Sequence, residues 1–183
     1  MVHRDLRPAN IMIDSLNTVR IIDLGSVSVA GLSERGDRSE GVVGTAQYTA
    51  PECYMGMPDT AQSDIFSLGV IVYQMLCGAL PYGNSVAKAG SARELNRLGY
   101  RSLGDQGREA PAWLDFALQK ALSIDPRKRY AEAFEFAAEI DRPSTEYLQQ
   151  TKRPLLERNP TLFWKCVAAA LLTVVVAQCG RMI

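Results

Sequence analysis

Over its first fifty residues the chain sets brief apolar runs between polar, turn-rich stretches. "NIMID" and "VRIID" are two such runs, separated by the turn-forming tetrapeptide "SLNT"; the pattern predicts two short strands joined by a turn. Residues 23–52 carry Gly25, Gly31, Gly36, Gly41 and Gly44 among scattered charges and predict a long loop. A connection of that length inside a compact domain is functional or disordered.

From Ser63 the pattern changes. Ile65, Phe66, Leu68, Val70, Ile71, Val72, Met75 and Leu76 put apolar groups on every side of a helix, the mark of burial all round. Ser63 or Asp64 is the expected cap and Gly78 the expected stop. Ser67, Gln74 and Asp64 favour a core helix over a membrane span. "SARELNRLG" predicts a short amphipathic helix. "PAWLDFALQKALSID" predicts a longer one, with Trp113, Leu114, Ala117, Leu118, Ala121 and Leu122 at helical spacing, and "YAEAFEFAAEID" another. The charged, proline-containing "RPSTEYLQQTKRPLLERNP" predicts a linker.

Residues 162–179, "LFWKCVAAALLTVVVAQC", hold one charge, Lys165, near their start. As a helix they would run about 27 Å, close to the hydrocarbon thickness of a bilayer. Trp164 and Lys165 suit an interface. Lys152, Arg153, Arg158 and Lys165 precede the apolar run, against Arg181 alone beyond it. That bias predicts a single-pass anchor with the main domain in the cytoplasm. The alternative is a buried or interfacial helix, because the uninterrupted apolar stretch, 166–177, is short for a span.

At 183 residues the chain has room for one domain and a small appendage. Twenty basic residues balance twenty acidic ones, which leaves no global charge pointing to nucleic acid. Cys53, Cys77, Cys166 and Cys179 are scattered, without a CxxC pair; free thiols in a reducing compartment are expected and a zinc site is not. A charged segment follows Met1 directly, so no signal peptide is expected.

The candidate chemistry is concentrated at the start. Phosphoryl transfer to a hydroxyl requires a carboxylate to orient the acceptor, ligands for magnesium and cations to offset phosphate charge. "HRDLRPAN" places Asp5 five residues before Asn10, and "IIDLGS" adds Asp23. Asn10 and Asp23 are hard oxygen donors of the kind magnesium accepts.

These residues resemble the protein kinase family. His3-Arg4-Asp5 with Asn10 resembles its catalytic loop, and Asp23-Leu24-Gly25 its metal-binding triplet, with leucine in place of phenylalanine. "GTAQYTAPE" resembles the end of an activation segment. "SDIFSLG" resembles the start of the central buried helix, and "DPRKRY" a later element whose arginine pairs with the Glu52 carboxylate. The five motifs stand in the family's order and cover residues 3 to about 141.

The resemblance implies a catalytic base at Asp5, magnesium ligands at Asn10 and Asp23, and a phosphate contact at Arg7, where a lysine is usual. Thr45 and Pro8 point to serine/threonine acceptors. It implies structural roles for His3, Arg4, Glu52, Asp64 and Arg129, and ATP and Mg2+ as cofactors. In the family an arginine placed like Arg4 often receives a phosphorylated loop residue, with Ser33 and Ser39 as candidates; taken singly, each reads as a solvated loop serine. Taken singly, Asp64 reads as a helix cap, Glu52 and Arg129 as a surface pair, and His3 as a packed histidine.

The expected architecture is α+β: a mainly helical kinase-like C-lobe with a short hairpin at the active site over 1–141, a linker over 142–161 and a transmembrane helix over 162–179. The glycine-rich loop, strand lysine and helix glutamate of a kinase N-lobe are not found. The chain therefore reads as a C-terminal half, from a truncated gene, a fragment or a misplaced start codon. Bare apolar surface on the 65–76 helix and weak ATP binding by the chain alone are expected in consequence. Expected partners are a protein substrate with Ser or Thr and the membrane, with a missing N-lobe or a fused phosphatase domain as further candidates and no nucleic acid. A membrane-tethered, non-catalytic interaction module and a half-enzyme completed in trans are the alternatives.

Overall fold

The computed structural model describes residues 1–27, 46–152 and 159–179. The chain divides into two compact units, Met1–Arg142 and Pro143–Ile183.

In the first unit, the strands β1 (Ile11–Ile13) and β2 (Val19–Ile21) pair antiparallel, with Ile11 opposite Ile21 and Ile13 opposite Val19. Asp14 builds the turn, accepting from the Leu16 and Thr18 amides, both at 2.9 Å. Those amides, Thr18 first, hold its carboxyl below the usual range. Asn17 takes the left-handed backbone, φ 59°, that asparagine tolerates in turns. The strands are shorter than the apolar runs that predict them, because the residues after each run enter turns.

The expected loop over 23–52 ends early: α1 begins at Pro51 and runs Pro51–Tyr54, with proline at the first helical position, where its missing N–H costs nothing. Residues 28–45 lie outside the described residues, and with them Thr45, Ser33 and Ser39.

The core forms around α2 (Ala61–Cys77). Its N-cap is Thr60, with Ser63 completing a capping box by accepting from the Thr60 amide at 3.1 Å, while the Asp64 side chain is engaged elsewhere. Gly78 ends it as expected, at φ 72°, where a side chain would be strained. Ile65, Phe66, Val70 and Tyr73 share a buried core with Leu118 of α5 (Ala112–Ala121), its C-cap Leu122 and Phe136 of α6 (Ala133–Asp141). Gly69 lets α2 and α5 approach: a Cβ there would meet Leu122 carbons at 3.2 Å and Ala121 Cβ at 3.3 Å. The short α3 (Ser85–Lys88) and α4 (Ala92–Leu95) contribute Val86 and Leu95 to the same core. Buried tyrosines find acceptors, Tyr73 on the Arg101 carbonyl at 2.8 Å and Tyr82 on the Leu122 carbonyl at 2.7 Å, as buried hydroxyls must. Part of α2 is bare, as expected: Met75 is 79% exposed and Leu76 39%.

The second unit begins within the stretch expected to be a linker, and part of that stretch is helical. Residues 145–152 form a helix, α7 (Thr145–Lys152), because Ser144 caps it, accepting from the Tyr147 amide at 3.1 Å. The last helix, α8, is Pro160–Cys179, begun by Asn159, whose Oδ1 accepts from the Leu162 amide at 3.1 Å. The helical reading of 162–179 is met, but among the described residues no helix is long and apolar enough to cross a membrane. The thiols of Cys53, Cys77 and Cys166 are free.

Candidate active site

The site grows from the tight turn that leads into β1. Pro8–Asn10 is a 3-10 turn, with proline fixing its first residue and the Asn10 amide returning to the Arg7 carbonyl at 2.9 Å. The turn buries Asn10 and folds it back on Asp5. Asn10 Nδ2 donates to the Asp5 carbonyl at 2.8 Å and to carboxylate Oδ2 at 3.0 Å. Because Nδ2 is the donor, the amide oxygen is the atom left to meet a cation. Arg7 Nε lies 3.4 Å from the same Asp5 Oδ2. Asp5, Arg7 and Asn10 therefore form one cluster of carboxylate, guanidinium and side-chain amide.

Asp23 joins through the backbone. The Ile22 amide donates to the Asn10 carbonyl at 2.9 Å, fastening the end of β2 beside the turn. Asp23 has φ 60° and ψ 68°, a left-handed conformation unusual for a residue other than glycine. Gly25 leaves room for its carboxylate: a Cβ there would lie 3.3 Å from Asp23 Oδ1. Such backbone costs about 1–3 kcal/mol and persists where the surroundings impose it. Among the described residues no three His, Cys, Asp or Glu side chains cluster to hold a metal. The oxygen donors are one carboxylate and one amide, a set that suits a hard cation also held by phosphate oxygens.

Asp64 of α2 supports the turn from beneath. Its Oδ2 accepts from the His3 amide at 2.6 Å and its Oδ1 from the Arg4 amide at 2.9 Å, so it anchors the loop rather than capping its helix. Arg4 is left-handed, φ 73°, and these two bonds fix it there. Burial pushes the Asp64 carboxyl above its usual range, against the pull of the two amides. His3 is buried; Nδ1 accepts from the Asp5 amide at 3.4 Å, and Nε2 has no hydrogen-bond partner.

Glu52 and Arg129 are not a surface pair. Both are buried, and the guanidinium grips the carboxylate with two 2.7 Å bonds. Arg129 also donates to the carbonyls of Ser123 at 2.7 Å and Gln62 at 2.9 Å, and Ser63 Oγ donates to Glu52 Oε1 at 2.8 Å. The pair ties α1, the start of α2 and the segment before α6 together. Sequence reading missed three contributors. Ser67 Oγ donates to the Tyr48 carbonyl at 2.7 Å and Tyr48 OH to Gln74 at 2.6 Å, docking the segment before α1 on α2. Asp59 accepts from Cys53 Sγ at 2.8 Å. Polar residues inside an apolar helix were the available sign for Ser67 and Gln74; Asp59 had none.

A loop carboxylate paired with an asparagine, a second aspartate behind a strand, and a buried glutamate–arginine clasp are the features on which the likeness to protein kinases rests. Residues 1–140 match the protein kinase domain, and the chain belongs to the protein kinase family. It is 31% identical to serine/threonine-protein kinase PknD of Chlamydia felis, over 94% of this chain and 20% of that protein. It is 35% identical to serine/threonine-protein kinase PknB of Mycobacterium tuberculosis, over 78% of this chain and 23% of that protein. A probable serine/threonine-protein kinase PknB of Bifidobacterium longum is 34% identical over 76% of this chain. The chain spans about a fifth of the length of these relatives.

Proposed function

We propose that this chain carries the catalytic half of a serine/threonine protein kinase, transferring the γ-phosphoryl group of ATP to a protein hydroxyl. The observation that carries the reading is the Asp5–Asn10–Arg7 cluster, with Asp23 fastened beside it through the Ile22–Asn10 bond. In this reading Asp5 orients the acceptor hydroxyl and takes its proton. Arg7 offsets charge on the phosphoryl group in flight. Asn10 and Asp23 are the residues that would hold Mg2+, which when bound neutralises the nucleotide's phosphates. Thr45 takes its place beside the base by resemblance alone.

Support for a further lobe comes from the hairpin. Met12, Ile13, Val19 and Ile21 are each more than half exposed, on both faces of a two-stranded ribbon that is marginal by itself, as is Leu24 just beyond it. A nucleotide-covering lobe is the cover we propose for that surface. The alternative of a non-catalytic module gives no reason for Asp5, Asn10 and Asp23 together. Membrane attachment is proposed from the sequence of 162–179, with its single charge, and a cytoplasmic kinase domain from the basic residues before it; resistance of the chain to alkaline extraction from membranes checks this.

The test joins the chain to the glycine-rich half of a serine/threonine kinase domain and measures transfer of labelled phosphate to a generic protein acceptor. Transfer should occur and fall at least a hundredfold with Asp5→Asn. Transfer equal in both proteins would overturn the assignment.

A further inference from the structure

The backbone of Arg4 is held by Asp64, but its side chain faces a different carboxylate. Arg4 Nε is buried without a hydrogen-bond partner, and Asp59 Oδ2 lies 4.0 Å away. That is too long for a hydrogen bond but effective as an ion pair between groups largely withdrawn from water, with side-chain exposures of 30% and 13%. The other Asp59 oxygen accepts from Cys53 Sγ at 2.8 Å. A thiol of α1, a carboxylate of the α1–α2 connection and the guanidinium beside the base thus follow one another in a line.

We propose that Asp59 is a positioning residue for the catalytic loop, a built-in counter-anion that holds Arg4 where a phosphate would otherwise supply the negative charge. A guanidinium stays charged under all conditions a protein survives, so a half-buried one requires an anion nearby. Asp64 is committed to two amides. Among the described residues, Asp59 is the carboxylate that meets the side chain, and the Cys53 thiol donates to its second oxygen. The thiol there is pushed up to about 12 by burial first, then by the Asp59 hydrogen bond and charge, with Glu52 adding to the effect and the Ser63 hydroxyl opposing it. It therefore stays a donor to Asp59 at physiological pH. The consequence is that a phosphate arriving at Arg4 would meet a like charge already in place. That consequence rests on the kinase reading; the Asp59–Arg4 coupling does not.

The experiment uses the full 183-residue chain and needs no ATP. Amide exchange at His3 and Arg4 is followed by NMR in the parent, Asp59→Asn, Asp59→Glu and Arg4→Gln proteins, with melting midpoints for the singles and the Arg4→Gln/Asp59→Asn double variant. Asp59→Asn should speed exchange at both amides at least fivefold while leaving α5 amides unchanged, and Asp59→Glu should restore most of the protection. The midpoint losses of the two single variants should exceed that of the double variant, as coupled groups require. Unchanged exchange in Asp59→Asn, or strictly additive midpoints, would overturn the proposal. If Asp59→Asn does not fold, Arg4→Gln and Asp59→Glu decide it: equal exchange in Asp59→Glu and the parent supports a charge role, and no change in Arg4→Gln refutes one. An inactive kinase leaves these readouts intact, so the two ideas fail separately.

Discussion

Glu52 and Arg129 show how one side-chain pair can fix several elements. Both charges are out of water, so each needs the other, and the Ser123 and Gln62 carbonyls and the Ser63 hydroxyl complete their hydrogen bonding. Removing one partner leaves the other charge buried alone, which costs about 3–5 kcal/mol. Glu52→Gln and Arg129→Met should each lower the urea midpoint by an amount equivalent to that loss; a change under 1 kcal/mol would show that the clasp is solvated. At this scale the sequence is legible where contacts are local. Asp5, Arg7 and Asn10 lie within one turn, and their spacing alone brings them together. The cap of α2 is half legible for the same reason: Ser63 does serve in the cap, through a box with Thr60, but the His3 and Arg4 amides, distant in sequence, claim the Asp64 side chain. The Arg4–Asp59 pair, with the whole loop between its members, leaves no trace in any local pattern.

Among elements, the clearest reading is α2, whose unbroken apolarity correctly signals burial. Its closest contact is at Gly69. Alanine there would gain helix propensity of up to about 1 kcal/mol, but its methyl would press on Leu122, which is fully buried and not free to move. Overpacking costs about 1–3 kcal/mol, so Gly69→Ala should lower the thermal midpoint, and a raised midpoint would show that α5 can yield. The linker reading does not foresee α7, because prolines and charges at its borders mask a helix that Ser144 starts. Pro51 illustrates the opposite error. Proline in a glycine-rich stretch reads as loop, yet at the first position of α1 it begins a helix. The hairpin is legible as strands and turn, but its apolar residues are exposed, and alternation alone cannot say whether a ribbon has a cover.

For the whole molecule, the core's polar groups predict the pH response. Burial pushes the Cys53 thiol from 9.0 up to about 12 and the Tyr82 hydroxyl from 10.0 up to about 12, and it raises Tyr73 and Tyr100 as well. In the unfolded chain these groups lose protons first, so above about pH 9 the folded state binds more protons and stability falls as pH rises. Urea midpoints should hold steady from pH 7 to 8.5 and decline progressively from pH 9 toward 12, and Tyr82→Phe should flatten the decline. A level profile to pH 11 would contradict the burial of these groups. The first unit, Met1–Arg142, contains every described residue of the proposed chemistry.

That chemistry requires Asn10 and Asp23 to meet one cation, and paramagnetic broadening by Mn2+ with millimolar ATP tests it directly in the chain joined to the glycine-rich half of a serine/threonine kinase domain. Amide signals around Asn10 and Asp23 should broaden selectively, and Asp23→Ala should abolish the effect while leaving α5 and α6 signals untouched. Broadening that is absent, diffuse or unchanged in Asp23→Ala would contradict a shared metal site and the phosphoryl-transfer function built on it.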